Sequence, residues 1–223
     1  LPDSAATVRV AEECLVPCSR SGQAFLDMGT VSPPEARELA GRFSGHGAHY
    51  LDCPVTGGGG GAADGTLRIF CGGNEAVFQK VKPVLEVVGD PAYIVYCGRA
   101  GSGQVMKGVN QMGMGLIAAA AMESVAFGVN SGLDPRRIAD SIGGEAGFRA
   151  LIRKHAGMAA EGRAGGQGIK HGQLPYFLEE AEARGYALPI TEALWKFLEN
   201  EPREIQEANR KSPSFWKKIT RRT

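Results

Sequence analysis

Apolar and polar residues alternate in two different ways along the chain, and the change lies near residue 100. Before that point, short apolar runs typical of buried strands are separated by segments with the spacing of a helix. The runs predict strands at 24–29, 48–53, 67–71 and 92–96. The helical spacing predicts helices at 5–16, 33–44 and 74–88. Strands that alternate with helices indicate an α/β layer with a partly parallel sheet.

After residue 100 the strand signals stop and only helical spacing continues. A helix over 104–131 is apolar on most of its sides, which is typical of a buried helix. Shorter helices are predicted at 134–142, 147–161, 173–184 and 190–199. We therefore expect an α/β domain over residues 1–100, followed by an all-α domain over 101–223.

The charge balance argues against two classes of partner. The 25 Lys and Arg residues nearly cancel the 24 Asp and Glu residues, so no overall field attracts nucleic acid or a membrane surface. The apolar run "GLIAAAAMESVAFGV" is interrupted by Glu123 and Ser124 and is short of a membrane span. We expect the basic tail "NRKSPSFWKKITRRT" to be a solvated end or a subunit-packing segment, although contact with nucleic acid is an alternative.

The cysteines favour a reducing compartment and no metal. Their number, 5, is odd, and they fall on or beside predicted helices and strands, which suits buried reduced thiols in a cytoplasm. His46, His49 and Cys53 lie at a helix end and along a strand, so their side chains need not converge on a metal. Cys14 and Cys18 are explained by helix packing. No metal site is predicted.

Five consecutive glycines, Gly57 to Gly61, stand between two predicted strands. Bare backbone is costly, because glycine loses more conformational freedom on folding than other residues do. A flexible linker is one interpretation. The ordered strands that flank the run favour another, in which a ligand approaches the main chain closely.

The segment "GRAGSGQVMKGVNQ" contains the strongest candidate for chemistry. Lys107 and Gln111 are four residues apart and share a helical face, with Asn110 beside them. A lysine near the start of an apolar helix is partly desolvated and can exchange protons, while the amides can hold a substrate hydroxyl. The alternative is a surface lysine whose stem lies along the core.

Several segments in the same order resemble the β-hydroxyacid dehydrogenases, a family that includes 3-hydroxyisobutyrate dehydrogenase and tartronate semialdehyde reductase, with 6-phosphogluconate dehydrogenase as a larger relative. They are "LPDS", "DMGTVSP", "DCPVTGGGGGAADGTL" with "GG" after the strand, and "GSGQVMKGVNQ". The resemblance covers essentially all 223 residues. It implies that the first half is the later part of a Rossmann-type domain. It implies that the second half is the family's helical substrate and dimerisation domain.

The resemblance also implies roles for individual residues. Lys107 matches the family's catalytic lysine, and Asn110 and Gln111 match the amide pair that follows it. The substrate carboxylate would bind main-chain amides in the segment of Thr56, Gly57 and Gly58. The cofactor would be NAD or NADP, contacted by Leu1, Pro2 and Thr30, with Thr30 at its nicotinamide end.

The implied reaction is hydride exchange between a nicotinamide and a small 3-hydroxy acid, with Lys107 carrying the hydroxyl proton. A long apolar helix predicts a homodimer or homotetramer, since part of its surface is suited to a partner subunit. The chain starts after the position of the family's GxGxxG segment, which suggests a fragment of a longer polypeptide or a shortened homologue. The alternative function is a non-catalytic oligomerising or binding protein that has lost the cofactor-binding half.

Two departures from the family pattern concern the site. Gly29 stands where the family usually has serine. Gly172 and Gln173 stand where the family usually has the Lys-Asp pair of a later helix. Lys170 is two residues away and would replace that second lysine only if the loop is remodelled. We therefore assign no role to Lys170.

Overall fold

A computed structural model describes residues 1, 3–163, 171–199 and 215–220. The chain forms two compact units. The first unit contains Leu1–Asn110 and Pro175–Ala187, and the second contains Gln111–Leu174 and Leu188–Thr223. The sequence predicted a domain boundary at residue 100, where strands give way to helices. Among the described residues, the last strand ends at Gly98.

The first unit is built on a five-stranded sheet within the part of the chain that the structure describes. Its strands are β1 (Ala24–Asp27), β2 (His49–Asp52), β3 (Val55–Thr56), β4 (Leu67–Gly72) and β5 (Gly89–Gly98). The helices that begin in this half are α1 (Ser4–Val10), α2 (Pro33–Gly45), α3 (Gly58–Asp64), α4 (Glu75–Leu85) and α5 (Ser102–Asn130). The succession of elements confirms the predicted α/β layer followed by helices.

In the middle of the sheet, β2 and β3 form one strand path that bends between them. β1 and β2 pair in parallel, with Asp27 opposite Asp52. The path then bends at Cys53 and Pro54 and continues as β3. Both β2 and β3 pair antiparallel with β4 in a single register, from Asp52 opposite Gly72 to Thr56 opposite Arg68. β5 adds to the other side of β4 in parallel. The path therefore delivers Val55 and Thr56 just beyond the carboxyl end of β2.

Side-chain caps begin three helices of this unit. The Ser32 hydroxyl accepts the Glu35 N–H, and Pro33 follows at a position where its missing N–H costs nothing, as predicted. Asp3 caps α1, and Asn74 caps α4 in the same way. α2 packs Leu39 and Phe43 on one side of the sheet, and α4 packs Val77 and Phe78 on the other.

A segment from the second half of the chain completes the first unit. It contains most of α8 (Leu174–Ala183). The Glu180 carboxylate receives two hydrogen bonds from the Arg37 guanidinium, of 3.2 and 2.5 Å, and one of 2.5 Å from Arg184. Burial would raise the pKa of Glu180, but the bonds from both arginines outweigh it and hold that pKa below its ordinary value. The ion pair therefore attaches α8 to α2.

The glycine run is more ordered than a linker. The chain enters it through Gly57 and Gly58, whose φ angles of 137° and 63° favour glycine, and then forms the short helix α3. The sequence did not predict this helix, because glycine is a poor helix former.

Two other differences from the sequence prediction concern the ends of elements. The first helix passes at Ala11–Leu15 into a π turn, and β5 begins at Gly89 rather than residue 92.

The second unit is helical throughout the residues described for it. Besides α5 from Gln111 onward, it contains α6 (Pro135–Ile142), α7 (Gly147–Ala160), α9 (Pro189–Glu199) and α10 (Phe215–Thr220). Its core is a small apolar cluster: Ala121, Val125, Ile138, Ile152 and Ala156. Helix α10 lies in the basic tail and was not predicted.

Helix α5 is less enclosed than its composition suggests. It has the length and hydropathy of a membrane span, and 39% of its most apolar window is buried. Core helices of soluble proteins share these properties, so this is weak support for a span.

Cysteine burial is mixed, since Cys53 and Cys71 are buried and Cys14 and Cys18 are exposed. The expectation of packed thiols was therefore wrong for Cys14 and Cys18.

The start of α5 is held by a buried carboxylate. Asp52, at the end of β2, is 0% exposed. Its Oδ1 accepts the Gly101 N–H at 2.8 Å, and its Oδ2 accepts the Gln104 N–H at 2.9 Å. These N–H groups belong to the first turn of the helix, where no helical carbonyl can accept them. Asp52 thereby caps α5 from another element and fixes where the helix begins.

Two glycines make this contact possible. A Cβ at Gly103 would lie 2.4 Å from the Phe70 carbonyl oxygen and 2.6 Å from that of Asp52. A Cβ at Gly72 would lie 2.5 Å from the Asp52 carboxylate. Real side chains essentially never approach backbone this closely. Glycine at both positions therefore lets the helix start directly on the sheet.

Gly103→Ala is expected to lower the free energy of unfolding by about 2 kcal/mol or more, because the new methyl group must push helix and sheet apart. The matched control is Gly113→Ala in the same helix, where an added Cβ meets nothing within 4 Å. This control is expected to raise stability by about 0.5–1 kcal/mol, the ordinary gain of alanine over glycine in a helix. Urea unfolding of both variants measures the difference. Equal effects at the two positions would contradict the tight contact at Gly103.

The Asp52 carboxyl predicts a pH dependence of stability. Burial raises its pKa to about 6, against the opposing effect of the N–H groups of Gly101 and Gln104. The folded protein therefore holds this proton more tightly than the unfolded chain does, and stability falls as pH rises from about 4 to about 6. Relative to Asp52→Asn, which cannot titrate, the wild type is expected to lose about 2–3 kcal/mol over that range. Parallel curves of unfolding free energy for the two proteins would contradict the raised pKa.

Candidate active site

Lys107 lies beside the bend between sheet and glycine run. Its side chain comes from the second turn of α5 and is buried, with 6% exposed. The ammonium group donates a hydrogen bond of 2.7 Å to the Val55 carbonyl oxygen. This bond holds the cation beside the strand. Lys107 is therefore the buried residue predicted from the sequence and not a surface lysine.

Asn110 reaches the next residue of the same strand. Its Nδ2 atom lies 3.5 Å from the Thr56 Oγ1 atom, at the long limit of a hydrogen bond. Lys107 and Asn110 thus contact successive residues of β3 from successive positions on one helical face. The structure brings Lys107, Asn110 and Thr56 together.

Gly57 and Gly58 follow Thr56 and are exposed. Their positive φ angles turn the chain into α3, and a Cβ at Gly58 would meet nothing within 4 Å. The space above this turn is therefore open. The main-chain N–H groups at the start of a helix have no helical acceptor, and Gly57 provides no side-chain cap. A small anionic group can approach the backbone here without a side chain in its way.

Gln111 has its contacts in the second unit. Its Nε2 atom donates a hydrogen bond of 3.0 Å to the Oε1 atom of Gln173. Both side chains are amides, and Gln173 is one of the two residues that stand in place of the family's later Lys-Asp pair. Lys170 lies outside the described residues.

The residues predicted to contact a cofactor are less completely described. Thr30 lies half-buried in the loop that follows β1. Leu1 is 71% exposed, and Pro2 lies outside the described residues. The loop that begins at Leu1 is attached at Ser4, whose N–H donates to the Tyr176 hydroxyl at 3.1 Å and whose Oγ accepts the Ser32 N–H at 3.0 Å.

Two buried polar residues that sequence reasoning did not single out also build the site. Asp52 caps the helix that carries Lys107, and Gln104 reaches from the same helix to the loop of Thr30. The available signal for Asp52 was an acidic residue closing the apolar run "HYLDCP". For Gln104 the sequence offers an amide on the Lys107 side of the helix, which alone does not reveal a partner 75 residues away.

The residues present fit the nicotinamide end of a dinucleotide. Thr30 follows the carboxyl end of β1, the edge at which α/β sheets bind ligands. Within the portion of the chain that the structure describes, neither its hydroxyl nor its main-chain groups form a hydrogen bond. These groups can therefore serve a ligand.

No group of three or more His, Cys, Asp or Glu side chains that could hold a metal occurs among the described residues.

Two family models match the chain in succession. The NAD binding domain of 6-phosphogluconate dehydrogenase matches residues 1–98. The NAD-binding segment of NADP-dependent 3-hydroxyisobutyrate dehydrogenase matches residues 101–209. Both descriptions name the same class of cofactor, which supports NAD or NADP.

Curated relatives carry dehydrogenase and reductase names. The chain is 35% identical over 178 residues to 2-(hydroxymethyl)glutarate dehydrogenase of Eubacterium barkeri, covering 77% of this chain and 58% of the relative. It is 42% identical over 120 residues to a probable mitochondrial 3-hydroxyisobutyrate dehydrogenase of Dictyostelium discoideum, covering 54% and 37%. It is 40% identical over 134 residues to 2-hydroxy-3-oxopropionate reductase of Escherichia coli, covering 60% and 45%. The chain thus spans between 37% and 58% of these relatives.

Solved structures share the fold over nearly the whole chain. Mycobacterium tuberculosis 3-hydroxyisobutyrate dehydrogenase with L-serine has a TM-score of 0.77 at 25% identity, covering 97% of this chain and 76% of that one. Psf3 in complex with NADP+ and 2-OPP has a TM-score of 0.68 at 26% identity, covering 92% and 71%. Because the two family models, the relatives and the folds agree over both halves, the chain belongs to the β-hydroxyacid dehydrogenase family.

Proposed function

We propose that this chain provides the substrate-binding and proton-transfer residues of an NAD(P)-dependent oxidoreductase that acts on a small 3-hydroxy acid. The observation that carries the proposal is the buried ammonium group of Lys107, which lies 2.7 Å from the Val55 carbonyl beside the Asn110–Thr56 pair. A buried cation is costly unless it has a task. Family membership supplies the class of reaction, and the named relatives indicate hydroxy-acid substrates.

Lys107 would move the proton of the reacting oxygen. In the direction of reduction its Nζ donates a proton to the substrate carbonyl oxygen, and in the direction of oxidation the neutral amine accepts the hydroxyl proton. A nicotinamide, when bound, supplies hydride chemistry at its C4 atom. The Val55 carbonyl would keep Nζ oriented in both directions, since it accepts from either protonation state.

The substrate carboxylate would lie against the turn at Gly57 and Gly58. The open space at Gly58 and the start of α3, whose first N–H groups have no helical acceptor and no side-chain cap from Gly57, support this placement. Thr56 would add a hydroxyl, positioned by Asn110. Gln111, the second amide of the family pattern, would help to hold the substrate hydroxyl. In this structure its side chain donates a hydrogen bond to Gln173.

The cofactor side would be formed by Thr30 at the nicotinamide end, with Leu1 and Pro2 along the dinucleotide. Thr30 supports this, because its hydroxyl and main-chain groups form no hydrogen bond to the residues that the structure describes. Phosphate contacts would come from residues outside this chain's described part or from another chain. A location in the cytoplasm and the lack of nucleic-acid and membrane partners stay predictions.

Replacing Lys107 tests the proposed function. Lys107→Met keeps the apolar stem and removes the amine, so kcat for oxidation of a small 3-hydroxy acid is expected to fall by about 10²–10⁴-fold with the fold intact. The matched control, Lys80→Met, changes an exposed lysine of α4 and is expected to leave kcat unchanged. Nicotinamide absorbance measures turnover, and circular dichroism checks folding, in the longest polypeptide that the gene encodes.

Two outcomes would contradict this proposal. Full activity of Lys107→Met would remove the lysine from the chemistry. A wild-type protein that binds neither NADH nor NADPH and turns over no hydroxy acid would instead favour the alternative, a non-catalytic oligomerising or binding homologue.

The apolar surface of the second unit predicts self-association. Ile117 and Phe127 on α5 are 56% and 76% exposed, and Ile190 on α9 is 70% exposed. Burying large apolar side chains of this kind against a second copy is favourable by about 1.5–3 kcal/mol each. Light scattering is expected to give the mass of a homodimer or homotetramer, and Phe127→Asp is expected to shift it toward the monomer. A monomeric wild type at micromolar concentration would refute this prediction.

A further inference from the structure

The Gln104 side chain makes an unusual pair of contacts. It is 0% exposed, although glutamine is normally a surface residue. Its Nε2 atom donates to the Gly29 carbonyl oxygen at 3.0 Å, and its Oε1 atom accepts the Val31 N–H at 3.3 Å. One carboxamide thus binds the main chain on both sides of Thr30.

This contact has the pattern of a strand pair. In an extended segment, the carbonyl of one residue and the N–H of the residue two positions later point to the same side. Gly29 and Val31 present these two groups to Gln104, as two residues of a strand present them to a neighbouring strand. The Thr30 loop is therefore fixed by a side chain in place of a neighbouring strand.

The same residue is tied to the helix that carries Lys107. Gln104 precedes Lys107 by three positions, which places both on one helical face. Its own N–H donates to the Asp52 carboxylate at 2.9 Å, which fixes the helix turn on the sheet. A rigid turn of α5 therefore joins the position of Thr30 to that of Lys107.

We propose that Gln104 is a positioning residue that sets Thr30 at a fixed distance from Lys107, so that a nicotinamide held at Thr30 lies within reach of a substrate held at Lys107. The effect of Gln104 on cofactor binding rests on the proposed function. Its effect on the Thr30 loop does not, because that effect is present in the protein without any ligand. Gln104 itself would touch neither cofactor nor substrate.

The first test measures the loop without any ligand. Gln104→Met keeps the volume of the side chain and removes both hydrogen bonds, so exchange of the Val31 amide is expected to become about tenfold faster or more. Gln79→Met is the matched control, because Gln79 is exposed on α4. Hydrogen exchange read by mass spectrometry or NMR gives the result. Unchanged exchange at Val31 in Gln104→Met would overturn the proposal.

The second test uses a conservative variant with a pH-dependent rescue. The carboxyl introduced by Gln104→Glu can accept the Val31 N–H and, when protonated, can also donate to the Gly29 carbonyl. At low pH both bonds are restored, and the bond to the Gly29 carbonyl is lost as the group ionises at higher pH. NADH affinity of Gln104→Glu, measured by nicotinamide fluorescence relative to wild type at each pH, is expected to improve as pH falls. A ratio that stays constant with pH would overturn the proposal.

Kinetics separate positioning from general destabilisation. Gln104→Met is expected to raise KM for the cofactor about tenfold and to lower kcat, with KM for the hydroxy acid nearly unchanged. Equal cofactor affinity in Gln104→Met and wild type would overturn the proposal. A wild type that binds neither NADH nor NADPH would refute the proposed function instead, and the amide exchange at Val31 would then decide the role of Gln104 alone.

Discussion

The buried carboxylate of Asp52 is the interaction on which the candidate site depends. It replaces the missing acceptors for two N–H groups in the first turn of a 29-residue helix. Without it, those groups would be buried with no partner, at a cost of about 1–3 kcal/mol each. Because the first turn is fixed at the end of β2, Lys107 one turn later must lie over Val55. The position of the amine is therefore decided by an acid that takes no part in the proposed chemistry.

Polar groups of the same part of the helix form hydrogen bonds to three neighbouring segments. Its N–H groups bind Asp52, the Gln104 side chain binds the loop of Thr30, and Lys107 binds the end of the strand path. Each contact gives a buried polar group a hydrogen-bond partner. The glycines at positions 72 and 103 are what allow helix and sheet to approach closely enough for all three.

The sequence predicted the order of elements and the residues near the proposed chemistry better than it predicted what holds them. Apolar periodicity indicated the α/β layer and the long helix, and the spacing of Lys107 and Asn110 indicated a shared face. Asp52 and Gln104 were missed because their partners are 49 to 75 residues away, and a single sequence carries no signal for such pairs. The helix in the glycine run was missed because local propensity opposes it and the surrounding fold overrides it. Cys14 and Cys18 were predicted to be packed on a helix, but both are exposed, Cys14 in a π turn and Cys18 beyond it.

The ion pair between Arg37 and Glu180 joins residues 143 positions apart in the chain. The first unit is therefore discontinuous, and it is completed only when Pro175–Ala187 has been synthesised. During translation α2 emerges long before α8, so Arg37 is at first without the Glu180 carboxylate. A protein expressed only to residue 110 would lack this carboxylate and the segment that completes the unit permanently.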